Sequence, residues 1–275
     1  MERQVKQMGR KAVFFDGDGT VTDLIKGIPV SAAEAIRACK ENGHLTFLCT
    51  GRSRAMVDRG LEEVGFDGMI AGAGTYLERD GQVQYNKELP PAEARRVMEL
   101  LRGKGLVPVM EGRDYMYYDL EEYTDEVDWF AGRLTQMLGE HWRPITGNEH
   151  CMHVNKISAK AVPGADREGA LRELSPSFDA VVHEAKGFAG GTIELMPKGY
   201  SKALGIAVAC RLYDIDQKDT VAFGDSNNDL EMFHHVHTKV AMGNASPKLL
   251  ELADYVTTDM FHDGIRNGLC YLGLI

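Results

Sequence analysis

No apolar run in this chain of 275 residues approaches the length of a helical membrane span, which needs roughly 18 residues or more. The opening stretch MERQVKQMGRK is polar and has no apolar core of the kind a secretory signal requires, so a cytoplasmic location is the expectation. Positive charge is in deficit: 31 Lys and Arg stand against 41 Asp and Glu, a formal net charge of -10. That balance argues against non-specific binding to nucleic acid or to an anionic membrane. An anionic substrate would need a local cation, either a metal ion or a few lysines. Cysteines are few and scattered. Cys39, Cys49, Cys151, Cys210 and Cys270 form no CxxC pair, which argues against a zinc site or a disulfide framework. Cys49, beside a candidate site, reads as a small buried apolar residue.

Several binding motifs are also missing. There is no GxxxxGK[ST] phosphate loop, and Ser201-Lys202 stands in a different context. Gly72-Ala73-Gly74 has no third glycine and follows a late strand, so it fails as a dinucleotide fingerprint. Asp16-x-Asp18-x-Thr20 is not an EF-hand, because Val21 and Gly27 stand where that loop needs glycine and glutamate. His234-His235-Val236-His237 has no cysteine or carboxylate at matching spacing and reads as a surface loop. Asn244-Ala245-Ser246 matches a glycosylation sequon, a chance match without secretion.

What is present is the composition of an ordinary globular protein, 44% hydrophobic and 26% charged, long enough for about two domains. Val13 to Phe15, Leu45 to Thr50 and Met69 to Ala71 read as strands. Between them lie a helix opened by a Ser31–Glu34 capping box and another beginning near Ser53. Alternation of this kind predicts a doubly wound parallel sheet, an α/β (Rossmann-like) core. Near residue 77 the pattern changes. Asp80-Gly81 predicts a hairpin, and weaker alternations follow: helices over Pro91 to Leu101 and Thr124 to Leu138, strands over Val107 to Met110, Tyr115 to Tyr118, Cys151 to Ile157 and Ala180 to His183. Gly187 to Gly191 would serve as a return hinge. Strand and helix then resume, with Ser201 capping a helix and Thr220 to Phe223 forming a strand. The expected organisation is a core of residues 1–82 and 189–275 and an inserted α/β domain of residues 83–188.

Three predicted strand ends carry polar clusters: Asp16 with Asp18, Thr50 with Gly51, and Asp225 through Asp229. In a parallel sheet these converge on one edge, where ligands bind. Asp16, Asp18 and Asp225 offer the hard oxygen ligands that suit Mg²⁺, and one carboxylate is available as a nucleophile. Gly51 lets a backbone N–H approach an anion closely. Thr50 reads either as a helix cap or as a hydroxyl donor to that anion. Lys202 reads either as a solvated helix lysine or as the cation that neutralises it. Asp229 reads as a helix-start residue or as a partner of Lys202. Glu111, Arg113 and Asp114, on an expected turn, are either solvated or in reach of a substrate.

FFDGDGT, LCTGRS, GYSK and GDSNND, in that order, resemble the four motifs of the haloacid dehalogenase superfamily of phosphohydrolases. The tail VAMGNASPKLLELADYVTTDMFHDGI resembles the Cof-type branch, whose sugar-phosphate phosphatases carry a large α/β cap between the second and third motifs. Gly17 and Val21 depart from that pattern, where a larger residue and a leucine are usual. The resemblance implies a Mg²⁺-dependent phosphatase acting on a small phosphorylated metabolite, such as a sugar phosphate. Asp16 would attack phosphorus, and Asp18 would protonate the leaving oxygen and then activate water. Mg²⁺ would bind the Asp16 carboxylate, the Asp18 carbonyl and Asp225. Thr50, Gly51, Lys202 and Asn228 would hold the phosphoryl group, and Asp229 would orient Lys202. The rival readings are a phosphomutase, which returns the phosphoryl group, and a phosphate-sensing module that binds without turnover.

Overall fold

The computed structural model describes residues 9–123, 129–183 and 191–275. Strand β1 (Ala12–Phe15) is apolar and buried at every position, as a central parallel strand covered on both faces must be. After it come α1 (Val30–Glu41), β2 (Leu45–Cys49), the short α2 (Arg59–Glu63) and β3 (Gly68–Ala71). A hairpin follows, β4 (Tyr76–Arg79) and β5 (Gln82–Asn86). Its turn residues Asp80 and Gly81 have φ of 47° and 73°, the pair of positive values that Asp-Gly supplies to a tight hairpin. The middle of the chain forms α3 (Pro91–Gly103), β6 (Leu106–Glu111), β7 (Met116–Tyr117), α4 (Trp129–Leu138), β8 (Trp142–Arg143), β9 (Lys156–Ala161), α5 (Arg167–Leu174), β10 (Phe178–His183) and β11 (Thr192–Pro197). The first pattern then resumes with α6 (Lys202–Leu212), β12 (Thr220–Gly224), α7 (Leu230–His235), β13 (Thr238–Ala241), α8 (Pro247–Leu252), β14 (Tyr255–Val256) and α9 (Gly264–Tyr271).

The chain divides into two compact units. The first comprises the residues up to Cys49, Glu63–Met69 and Ile206–Ile275; the second comprises Thr50–Glu62 and Ile70–Gly205. In the first, parallel strands run in the order β14-β13-β12-β1-β2, with β3 next to β2. The chain winds outward from β1 through β2, then returns to the other side of β1 and winds outward again from β12. The reversal falls between β1 and β12, where Phe15 lies opposite Phe223 and the two rings stack at 5.0 Å. Phe14 stacks on Phe47 at the same centroid distance, 5.0 Å. Each such ring, fully buried, contributes about 1.5–3 kcal/mol, which holds the two strand ends level. Cys49 is buried in β2, as a small apolar residue would be.

The second unit has its own six-stranded sheet, in the order β10-β11-β9-β6-β7-β8. It is antiparallel through β10, β11, β9, β6 and β7, and parallel between β7 and β8. Val97 and Leu101 of α3 and Ala170 and Leu174 of α5 join Met110, Ile157, Ile193 and Leu195 of the strands in one core. Leu134 and Leu138 of α4 are buried in a smaller cluster with Tyr118.

The structure corrects several local expectations. Ser31 does not cap α1: the helix starts one residue earlier, and Pro29 holds the extended entry position with ψ 134°, which places Ser31 inside the first turn. No long helix begins at Ser53. Its backbone is extended, a 3-10 turn spans Arg54–Met56, and the Asp58 side chain accepts from the Leu61 amide at 3.0 Å to start α2 instead. The strand expected from Cys151 begins only at Lys156, because Cys151 closes a turn, its amide donating to the Asn148 carbonyl at 3.0 Å; the Asn155 side-chain amide donates to Asn86 Oδ1 at 2.7 Å and the Lys87 carbonyl at 2.6 Å. His234 and His235 close α7 rather than lying in a loop. Residues 124–128 of an expected helix, with Val127, and residues 187–190 of the expected hinge lie outside the described residues.

Candidate active site

The acidic cluster belongs to the first unit. Asp16 follows β1 directly, is 3% exposed, and donates its amide to the Phe223 carbonyl at 2.9 Å. The ladder between β1 and β12 therefore continues into the motif and fixes the Asp16 backbone. The chain then folds back on itself, with the Gly17 carbonyl accepting from the amides of Thr20, Val21 and Thr22 at 3.3, 2.8 and 3.0 Å. Gly19 sits at φ 86°, where a Cβ would lie 2.3 Å from Asp225 Oδ2. Only glycine lets Asp225 close against this turn. Thr20 Oγ1 reaches Asp225 Oδ1 at 3.3 Å, and the Asn244 side chain donates to the Gly19 carbonyl at 3.0 Å. The Asn244 amide is thus part of the site's framework.

Asp229 is fully buried. Its Oδ2 accepts from the amides of Asp225 and Ser226 at 3.0 and 3.1 Å, completing a capping box with Ser226. One ligand oxygen from each of Asp16, Asp225 and Asp229 lies within 4.8 Å of the others. Three carboxylates this close repel one another unless a cation joins them or one takes up a proton. The set is all oxygen, which fits a hard divalent cation such as Mg²⁺. Asp18 is exposed, and Asn228 is exposed, its Oδ1 accepting from Ser226 Oγ at 2.7 Å.

Thr50, Arg52, Ser201 and Lys202 belong to the second unit. Thr50 is buried; its amide donates to the Ile70 carbonyl at 2.8 Å, and its carbonyl accepts from Ala73 at 3.1 Å. The Arg52 carbonyl accepts from Gly72 at 2.6 Å, and the Arg52 amide donates to Thr50 Oγ1 at 3.1 Å. Ser201 Oγ accepts from the Leu204 amide at 3.3 Å and starts α6, so the expected cap is present. Lys202, the first residue of that helix, is 3% exposed, which removes the solvated-lysine reading.

Gly72-Ala73-Gly74, which is no cofactor motif, joins the Thr50 turn to the start of α6. All three residues have positive φ. At Gly74, φ is 93° and a Cβ would lie 2.0 Å from the Ser201 carbonyl oxygen. The turn that holds Thr50 thereby packs on the residue that opens α6. The only signal in the sequence was a glycine pair with no cofactor motif around it. Gly74→Ala is expected to lower stability by about 2 kcal/mol or more, read as a fall in the urea midpoint; an unchanged midpoint would refute the contact.

Glu111 is not on a turn. It ends β6, 3% exposed, and takes part in a buried ion pair with Lys156 at 3.6 Å, so solvation fails as its explanation. Arg113 and Asp114 do lie on the turn, paired with each other at 3.3 Å and well exposed. No helix among the described residues is long and apolar enough to cross a membrane.

Residues 13–269 match the model of a family described as haloacid dehalogenase-like hydrolase. A putative phosphatase of Bacillus subtilis, YkrA, is 33% identical over 270 residues, 98% of this chain and all of that one. A phosphoglycolate phosphatase of Methanothermobacter thermautotrophicus is 27% identical over 260 residues, 94% of this chain and 97% of that one. Among solved structures, a hypothetical protein of Geobacillus kaustophilus superposes with a TM-score of 0.81 at 30% identity, covering 97% of this chain and all of the other. A subclass IIB sugar phosphatase of the haloacid dehalogenase superfamily superposes with a TM-score of 0.80 at 25% identity, covering 96% and 100%.

Proposed function

Because the chain belongs to the haloacid dehalogenase-like hydrolases and is a phosphatase, we propose that it is a Mg²⁺-dependent enzyme hydrolysing a small phosphorylated metabolite, a sugar phosphate in the first place, through an aspartyl-phosphate. The observation that carries this reading is the meeting of Asp16, Asp225 and Asp229 at the ends of the two strands where the winding of the sheet reverses. In such sheets that edge is where ligands bind.

An Asp16 carboxylate oxygen forms the new bond to phosphorus as the bond to the leaving oxygen breaks. The Asp18 carboxyl gives that oxygen its proton. In the second half, Asp18 takes a proton from water as the water oxygen attacks phosphorus, and inorganic phosphate and the Asp16 carboxylate are released. The exposure of Asp18 suits a group that must exchange protons with leaving group and water in turn. Thr50, the Gly51 backbone, Lys202 and Asn228 hold the phosphoryl oxygens, and Asp229 orients Lys202. Asp16, the Asp18 carbonyl and Asp225 would hold Mg²⁺, whose chemistry is to neutralise the charge of the phosphoryl group. In this reading Asp229 stays outside the ligand set, because its Oδ2 is committed to two backbone amides. Residues 83–188 form the inserted domain that reads the leaving group, and the five free cysteines suit a reducing, cytoplasmic setting.

The test is phosphate release from a panel of small phosphomonoesters. Turnover of at least one sugar phosphate is expected, lost in EDTA and restored by Mg²⁺. Release from none of them, or movement of the phosphoryl group within the substrate without free phosphate, would overturn the assignment.

A further inference from the structure

Lys156 stands at the start of β9, between two acids supplied by its neighbours. Glu111 of β6 is its cross-strand partner, and Glu194 comes from β11. Its Nζ is 2.6 Å from Glu194 Oε2 and 3.6 Å from Glu111 Oε1. Glu111 also accepts from Ser158 Oγ, and Glu194 Oε1 meets His183 Nε2 at 2.9 Å. Lys156 is 3% exposed. A lysine this deep requires compensation for its lost hydration, and two carboxylates provide it. Burial works against the ammonium, but Glu111 and Glu194 more than offset it and push its pKa up to about 12. The same lysine depresses the Glu194 carboxyl against the effect of burial. Lys156 is therefore charged throughout the neutral range.

An ion pair between strands would account for the acids. It does not account for the remaining contact: Lys156 Nζ donates to the Gly51 carbonyl at 2.8 Å. That turn has three carbonyls to satisfy. Those of Thr50 and Arg52 are held by the backbone amides of Ala73 and Gly72; that of Gly51 is held by this side chain. The peptide that Lys156 grips is also the one whose N–H, on Arg52, donates to Thr50 Oγ1 at 3.1 Å. The ammonium, one peptide plane and the Thr50 hydroxyl thus form a continuous chain. Positive charge at the carbonyl polarises the peptide and strengthens its N–H as a donor. The hydroxyl that accepts from that N–H becomes in turn a better donor of its own hydrogen.

We propose that Lys156 is a positioning residue for phosphoryl transfer: through the Gly51–Arg52 peptide it orients and polarises the Thr50 hydroxyl toward the phosphoryl oxygen. This rests on the reading of Thr50 as a phosphoryl ligand, and the experiment separates the two.

Lys156→Met and Thr50→Val are made singly and together, and kcat and KM are measured on one phosphomonoester the wild type turns over. Lys156→Met is expected to lower kcat about 10- to 100-fold, as small misplacements of reacting groups do. On the Thr50→Val background it is expected to cost little more, because the group it acts through is already gone. Equal loss on both backgrounds would reduce Lys156 to a structural ion pair. If Thr50→Val alone keeps the wild-type rate, the role given to Thr50 falls first and the proposal falls with it. Lys156→Arg, which keeps the charge, should recover part of kcat; recovery by Lys156→Gln to the same extent would exclude the charge as the cause. Should Lys156→Met fail to fold because two acids are stranded, the variant carrying Glu111→Gln and Glu194→Gln as well removes those charges and takes its place in the comparison.

Discussion

Asp16→Asn is expected to abolish turnover while leaving the fold intact or slightly more stable. The amide has the shape of the carboxylate but no anionic oxygen to attack phosphorus, and loss of a nucleophile costs on the order of 10⁴-fold or more in kcat. Stability should move the other way. Asp16 is buried beside the oxygens of Asp225 and Asp229, so neutralising one of three converging carboxylates relieves repulsion when no cation is bound. In EDTA the variant should melt at or above the wild-type temperature, and added Mg²⁺ should raise its Tm less than it raises the wild type's. Acid quenching of wild type on a phosphorus-labelled substrate should leave label on the protein; the variant should retain none. A variant that kept a near-normal rate would remove Asp16 from the nucleophile's place.

Most of the acidic cluster was legible because local chemistry and fold agree there. An apolar run that ends in two carboxylates cannot continue as a buried strand, so Asp16 had to stand at a strand end. GDSNND after a second such run had to stand at another. Register did the rest, since Phe15 lies opposite Phe223. Lys202 is legible only as an alternative, and its burial removes the solvated reading. The failures have physical causes. Ser31–Glu34 has the spacing of a capping box, but Pro29 enters the helix with a fixed φ and takes the position that a capping serine would need. Gly72-Ala73-Gly74 matches no cofactor motif, and it serves a close backbone approach to Ser201, which no local pattern announces. Lys156 is illegible in the sequence for a related reason. A lysine entering a strand reads as an edge or solvent residue until the sheet places Glu111 and Glu194 on either side of it.

The exposure of Asp18 leads to the second large effect, which depends on the substrate. Asp18→Asn removes the acid that protonates the leaving oxygen and the base that later activates water, each of which is typically worth 10²–10⁴-fold. On a sugar phosphate, whose leaving alkoxide is strongly basic, the first loss dominates, and kcat is expected to fall about 10³-fold. On an aryl phosphate the leaving oxygen departs without a proton, so transfer to Asp16 survives and hydrolysis of the aspartyl-phosphate becomes the slow step. The variant should then release phenolate in a stoichiometric burst followed by slow turnover, and labelled protein should accumulate. Asp16→Asn should show neither burst nor label on the same substrate. Near-normal rates on both alkyl and aryl phosphates would mean that Asp18 serves the site through its backbone alone and that the proton comes from elsewhere; equal losses with no burst would remove its carboxyl from the role of leaving-group acid.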